Sequence, residues 1–272
     1  MIMKKLDIDK LHHILLEALN EVHRICLKHD IKYYMVGGSL IGAVRHKGFV
    51  PWDADIDLAM MRSDYDKFLS VCECELSDKY FLQNYHTDVD FSPPISRLCI
   101  QGTYVCEYFF RHLKFNKGAY LDIFSLDDIP NDLNLRKKQK KRLELIDKLM
   151  IYKLCIVYDK GILSSKLIAK KVIQLFMIPL SLSFLQRNRE KEMTKYNIDG
   201  DAEYVCQTAI KYGYDRGTHL RSTFGDPVLM EFEGKKYYVP RDWDSYLKTT
   251  FGDYMKLPPV EERKPIYDVY EL

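Results

Sequence analysis

Three things are scarce in this sequence: an excess of charge of either sign, paired cysteines, and an apolar run long enough to cross a bilayer. Its 272 residues carry 41 Lys and Arg against 39 Asp and Glu, a net charge of +2. That balance excludes a nucleic-acid surface as the main business of the chain, though not a local basic patch. The seven cysteines (26, 72, 74, 99, 106, 155 and 206) are odd in number and scattered. Cys72-Glu73-Cys74 is C-x-C, and no pairs stand at zinc-finger spacing. A disulfide framework is therefore excluded, and reduced thiols in a cytoplasmic protein are the expectation. Lys166, Lys170 and Lys171 break the apolar stretch at 162–185, leaving 14 uncharged residues from Val172 to Leu185. A span needs about 20. The opening MIMKKLDIDKLHHILL mixes acids into its apolar residues and has no cleavage site, so a secretory leader is not expected. A Walker sequence, a dinucleotide fingerprint, internal repeats and low-complexity linkers are also missing. Together with an ordinary 47% hydrophobic and 29% charged content, this leaves one elaborated domain over residues 1–272.

What is present concentrates in residues 35–61, MVGGSLIGAVRHKGFVPWDADIDLAMM. An apolar run from Tyr33 to Val36 ends in Gly37-Gly38-Ser39, and the following LIGAV reads as a helix start. Gly37 and Gly38 free two backbone N–H groups at a helix N-terminus, where phosphate is naturally received, with the Ser39 hydroxyl beside them. A second apolar-alternating run then carries Asp55 and Asp57. Side chains at i and i+2 of a strand share a face, with Cα atoms about 6.6 Å apart. Two carboxylates so placed suit a pair of divalent ions about 3.5–4 Å apart. A calcium loop is excluded: counted from Asp53, its sixth and twelfth positions are Leu58 and Asp64 where Gly and Glu are needed.

Further along, Asp122 stands alone among Leu121, Ile123 and Phe124, which is costly unless charged partners or a metal await it; the alternative is a solvated edge-strand face. Arg97 suits either a grip on a transferring phosphate or a pairing with a structural carboxylate. Asp127 and Asp128, beside Pro130, read as turn residues. Arg45, His46 and Lys47 form a basic loop, either a second phosphate contact or simply solvated. His12, His13, His23 and His29 read as surface or satisfied histidines rather than ligands.

Strand, Gly-Gly-Ser, helix and an Asp-x-Asp strand, in that order, resemble the nucleotidyltransferase superfamily. The longer wording GGSLIGAVRHKGFVPWDADID resembles its LicD family, which includes bacterial phosphocholine transferases and fukutin-related enzymes. Ser39, Ile41 and Ala54 depart from the usual family text, but Asp55 and Asp57 are retained. YLDIFSLD resembles the family's third acidic segment, and FGDYMKLPP at 251–259 resembles its closing segment.

The resemblance implies an α+β fold with a mixed β-sheet flanked by helices: a core over about 20–130, a helical insertion at 131–200 and a C-terminal segment, 201–272, packed on the core. It implies that Asp55, Asp57 and Asp122 hold one or two Mg2+ or Mn2+ ions. Gly37, Gly38 and Ser39 would take the diphosphate, with Arg45, His46, Lys47 and Arg97 as further phosphate contacts. The donor would be a CDP-activated alcohol such as CDP-choline, and the acceptor a sugar hydroxyl of a capsule, teichoic acid or lipopolysaccharide precursor. No nucleic-acid partner is implied. A lipid-linked acceptor would bring the chain to the inner membrane face. Two other classes share these letters: a nucleotidyltransferase moving a nucleoside monophosphate, and an inactive binding module.

Element by element, the spacing predicts a helix over 8–29, a strand over 31–36, a helix over 39–46, a strand over 55–60 and a helix capped by Ser63. Strands follow at 80–83, 95–100, 103–110 and 119–124. A basic helix is expected over 133–158 and an apolar one over 162–185, either core or membrane-interfacial. A hairpin at 231–239 and a helix at 242–249 complete the reading.

Overall fold

Helix α1 (Ile8–Lys28) follows directly from its apolar stripe. Leu11, Leu15, Ala18, Leu19, Val22, Ile25 and Cys26 fall on one face and are buried, and Asp7 caps the start by accepting the Lys10 N–H. Burial of each Leu contributes about 1.5–3 kcal/mol relative to exposure, so tertiary packing rather than propensity holds the helix. The computed structural model describes residues 3–107, 110, 112–154, 173, 175, 177, 179–197 and 202–272.

The main sheet runs β2 (Tyr34–Met35), β3 (Ile56–Met61), β7 (Ala119–Ile129), β5 (Ser96–Ile100), β4 (Tyr80–Gln83). Only β3 and β7 pair in parallel among these; their crossover passes through α3 (Arg62–Glu75) and the β4–β5 pair. Between β2 and β3 lies α2 (Gly37–His46). The far half of β7 pairs with β8 (Tyr204–Cys206), which pairs with β9 (Thr218–Leu220). A small sheet joins β1 (Lys4–Lys5), β12 (Val269–Glu271) and β6 (Thr103–Val105). The expected hairpin is β10 (Val228–Phe232) with β11 (Lys235–Val239). Its two-residue turn, Glu233-Gly234, is left-handed at both positions (φ 50° and 74°), the geometry such turns need. Val205, Phe224, Phe232, Tyr237, Tyr246 and Val269 share one buried core with the α1 stripe and the sheet. The observed architecture is α+β with a mixed sheet.

Several expectations need correcting, among them the strand over 31–36, which is only Tyr34–Met35. Ser63 is not a cap: α3 starts one residue earlier, with Met61 in the cap position and no side chain capping it. The strand expected over 103–110 is only Thr103–Val105. The strand expected to end at Phe124 continues to Ile129, so Asp127 and Asp128 are ladder residues, 0% and 5% exposed, not turn residues. Arg62 and Arg221 supply the counter-charges that make their burial tolerable. The basic helix, α4 (Leu133–Lys153), ends at Lys153, with residues 155–160 outside the described residues. Of the apolar segment at 162–185, residues 162–172, 174, 176 and 178 also lie outside them. The part in view is not one helix: residues 179–181 are non-helical, and α5 (Leu182–Met193) starts afresh with Ser181 as its cap. Among the described residues no helix is long and apolar enough to cross a membrane.

Candidate active site

The parallel register sets Asp57 of β3 directly beside Asp122 of β7. Neighbouring strands lie about 4.8 Å apart and register partners share a face, so both carboxylates open on one side of the sheet. Asp55 precedes β3 by one residue and Asp53 by three. The double glycine explains how the chain turns so close to these acids. Gly37 is left-handed (φ 58°), and a Cβ there would collide with the Asp57 carboxylate; one on Gly38 would collide with that of Asp53. Gly38 N–H donates to Asp57 Oδ2 at 3.2 Å, and the Asp57 N–H donates to Ser39 Oγ at 2.9 Å. Gly37 N–H donates to the Tyr246 hydroxyl at 3.3 Å, which in turn donates to Gln207 Oε1 at 3.2 Å.

Cations are few beside these acids. Arg97 is buried and donates through Nε to Asp122 Oδ1 at 2.8 Å. Its two terminal nitrogens face Glu107 at 3.3 and 3.4 Å, and its guanidinium lies 3.6 Å from the Tyr120 ring centroid. Lys211, on the loop after β8, offsets the charge of Asp53 and Asp55. Burial, then the charge of Asp55, pushes Asp53 up to about 7. Burial pushes Asp122 up to about 7 as well, with Arg97 opposing. Asp57 is held well above the carboxylate range by burial, then by Asp55, Asp122 and Asp53. Asp53, Asp55, Asp57 and Asp122 nonetheless keep partial exposure. Negative charge exceeds positive here, an arrangement that awaits protons or a cation.

An oxygen-only donor set of this charge fits Mg2+ or Mn2+. Among the described residues, no group of three His, Cys, Asp or Glu is spaced as a ready-made ion cage. Mg2+ does not require one, since it is commonly held by one or two carboxylates and completed by water and substrate phosphate.

Sequence reading gathered ten site residues; the structure brings six of them together. Asp55, Asp57, Asp122, Gly37, Gly38 and Ser39 form one cluster, and Arg97 adjoins it as the partner of Asp122 and Glu107, a carboxylate pairing rather than a free phosphate grip. Arg45, His46 and Lys47 lie elsewhere, at the opposite end of α2, about 13 Å along its axis from Gly37. Arg45 donates to the carbonyls of Tyr254 and Lys256 at 3.1 and 3.5 Å, holding down the FGDYMKL segment. Lys47 is a left-handed helix cap whose ammonium lies 3.6 Å from Glu231. Four residues escaped the sequence reading: Asp53, Lys211, Tyr246 and Tyr267. Asp53 had a signal, as the first acid of WDADID. His12 fixes it from behind, with Nε2 2.8 Å from the Asp53 carbonyl. The other three are brought in from more than 150 positions away, and no local pattern marks them.

Residues 30–132 match the family model described as LicD/FKTN/FKRP, nucleotidyltransferase domain. Over nearly its whole length the chain is similar to the lipopolysaccharide cholinephosphotransferase LicD of Haemophilus influenzae, 28% identical over 269 residues, 97% of this chain and 97% of that one. A shorter similarity, 47% identity over 34 residues, links it to the ribitol 5-phosphate transferase FKRP of Mus musculus and of Homo sapiens, covering 12% of this chain and 7% of each of those. Residues 30–132 are thus similar to a LicD-type nucleotidyltransferase domain.

Proposed function

We propose, with that similarity as premise, that this chain is a phosphotransferase moving a phospho-alcohol group, phosphocholine or a close analogue, from a CDP-activated donor to a sugar hydroxyl of a cell-surface glycan precursor. The observation that carries this reading is the β3–β7 register that sets Asp57 beside Asp122, with Asp55 two residues earlier and the Gly37-Gly38 turn against the same carboxylate. The names of the similar Haemophilus and mammalian proteins support the reaction class.

Asp55, Asp57 and Asp122 are the residues that would hold Mg2+ or Mn2+. When bound, such an ion supplies Lewis-acid stabilisation of the phosphate charge and lowers the pKa of a hydroxyl beside it. The chain supplies position. Gly37 and Gly38 exchange their long hydrogen bonds to Tyr246 and Asp57 for the donor's diphosphate oxygens. Lys211, on the rim, meets the same charge. The acceptor oxygen attacks the phosphorus that carries the alcohol, its P–O bond to CMP breaks, and CMP leaves with the bonding pair. Asp122, with Oδ1 tied to Arg97, keeps Oδ2 to take the hydroxyl proton. A lipid-linked acceptor would be met at the cytoplasmic face of the membrane.

The test is a paired incubation with CDP-choline labelled in the choline and with CTP labelled in the α-phosphate, Mg2+ and a glycan acceptor being present in both. Label transferred from CDP-choline with release of CMP is the expected result. Nucleotide label appearing on the acceptor would overturn the reading in favour of nucleotidyl transfer. A thermal-shift panel of CDP-choline, CDP-ethanolamine, CDP-ribitol and CDP-glycerol then names the head group through linkage.

A further inference from the structure

Asp57 and Asp122 are held in place by the ladders of β3 and β7, but Asp55 precedes β3 and has no such restraint. A side chain 212 positions away ties it down. The Tyr267 hydroxyl donates to Asp55 Oδ2 at 3.0 Å, with the Ala54 carbonyl 3.5 Å away.

Tyr267 is delivered by strand β12. Val269, Tyr270 and Glu271 pair with Val105, Tyr104 and Thr103, and the Cys106 N–H donates to the Asp268 carbonyl at 3.1 Å. On the other side, the Leu6 N–H donates to the Val269 carbonyl at 2.9 Å. The Tyr267 ring lies 5.9 Å from that of Tyr120, which carries the Arg97 guanidinium on its face, and Arg97 holds Asp122. One run of contacts thus fixes both the strand-held and the loop-held acid.

We propose that Tyr267 is a positioning residue of the active site: it ties one oxygen of Asp55 so that the other is presented to a divalent cation shared with Asp57 and Asp122. This rests on the metal-dependent reading above. A hydrogen-bond partner behind a metal-binding carboxylate orients it, and its loss typically weakens metal affinity about 10–100-fold.

The test is Mn2+ titration calorimetry on the intact chain and on Tyr267→Phe and Asp57→Asn, with metal-free melting temperatures alongside. Phe keeps the ring against Tyr120 and removes only the donor. The expected result is an unchanged melting temperature for Tyr267→Phe and Mn2+ affinity lower by about 10-fold or more. The Mn2+ concentration for half-maximal turnover should rise in step, with turnover recovering at saturating Mn2+. Wild-type Mn2+ affinity in Tyr267→Phe, while Asp57→Asn has lost it, overturns the inference and leaves the phosphotransferase reading standing. A large drop in its melting temperature also overturns it, by making Tyr267 a packing residue. Equal Mn2+ binding by wild type and Asp57→Asn removes the metal reading and this inference together.

Discussion

Strand β7 carries aspartates to both faces of the sheet, and the two faces treat them differently. Asp122 joins Asp53, Asp55 and Asp57, where, among the described residues, Arg97 and Lys211 stand against four carboxylates and Glu107 shares Arg97. Five residues on, by strand alternation on the other face, Asp127 is fully buried yet answered in full. Arg62 grips it in a two-point pairing at 2.7 and 2.9 Å, and Ser125 and Asn197 donate to it at 2.8 and 2.7 Å. The spare Arg62 nitrogen reaches Glu190 at 2.8 Å. Residue type is the same on the two faces; Asp122 keeps partial exposure and Asp127 none, and the charge balance differs most. A carboxylate whose partner is inside the protein holds the fold, and one whose partner must come from outside marks the site.

That contrast can be broken most forcefully at Asp57. Asp57→Asn should lower turnover at least about a thousandfold, about 4 kcal/mol in the barrier, in a single-turnover CMP-release assay. The metal-free protein should lose no stability, because a repelled charge is removed. A variant that unfolds would put Asp57 in the class of Asp127.

Arg62→Met tests the opposite face. It leaves Asp127 buried without its counter-charge, which should cost about 3–5 kcal/mol by urea unfolding. Adding Asp127→Leu should recover most of that loss. Turnover of the folded fraction should stay near wild type.

Much of the first cluster was legible in the sequence and almost none of the second. The i, i+2 spacing of Asp55 and Asp57, the Gly37-Gly38 break before a helix and the isolated Asp122 are local patterns, which a chain reveals by itself. The α1 stripe and the β10–β11 hairpin were legible for the same reason. Arg62 and Asp127 are 65 positions apart, and Pro130 made the run around Asp127 read as a turn. Tyr267 and Tyr246 reach the site through tertiary contacts alone, the first by way of a three-residue strand. Arg45 misled because a basic residue beside a glycine-rich motif suggests phosphate, whereas its partners are backbone carbonyls of the FGDYMKL segment.

A buried histidine is a third kind of ionisable group in this fold. His219, 4% exposed, stacks on Tyr246 with ring centroids 4.7 Å apart. Burial pushes it down to about 4 from 6.5. Between those values the unfolded chain binds more protons than the folded one. Its contribution is therefore full above about pH 6.5 and is lost as pH falls through 4, at most about 3 kcal/mol. Urea midpoints at pH 7.5 and 5 should show this slope, and His219→Gln should flatten it.

The smallest effect belongs to the basic loop. Lys47 sits at a left-handed helix end (φ 56°), so Lys47→Gly should stabilise by under about 1 kcal/mol. The KM for the donor should change by less than about twofold, since this loop lies far from the acids. A large rise in KM would return Lys47 to the site.

Metal at the Asp55, Asp57 and Asp122 carboxylates is seen most directly by anomalous diffraction from crystals of the chain soaked with Mn2+ and a CDP-alcohol. A peak is expected about 2.0–2.6 Å from carboxylate oxygens of Asp55, Asp57 or Asp122, on the sheet face shared by Asp57 and Asp122, and none at the Arg62 cluster. Bound nucleotide with no metal density at those carboxylates would contradict it.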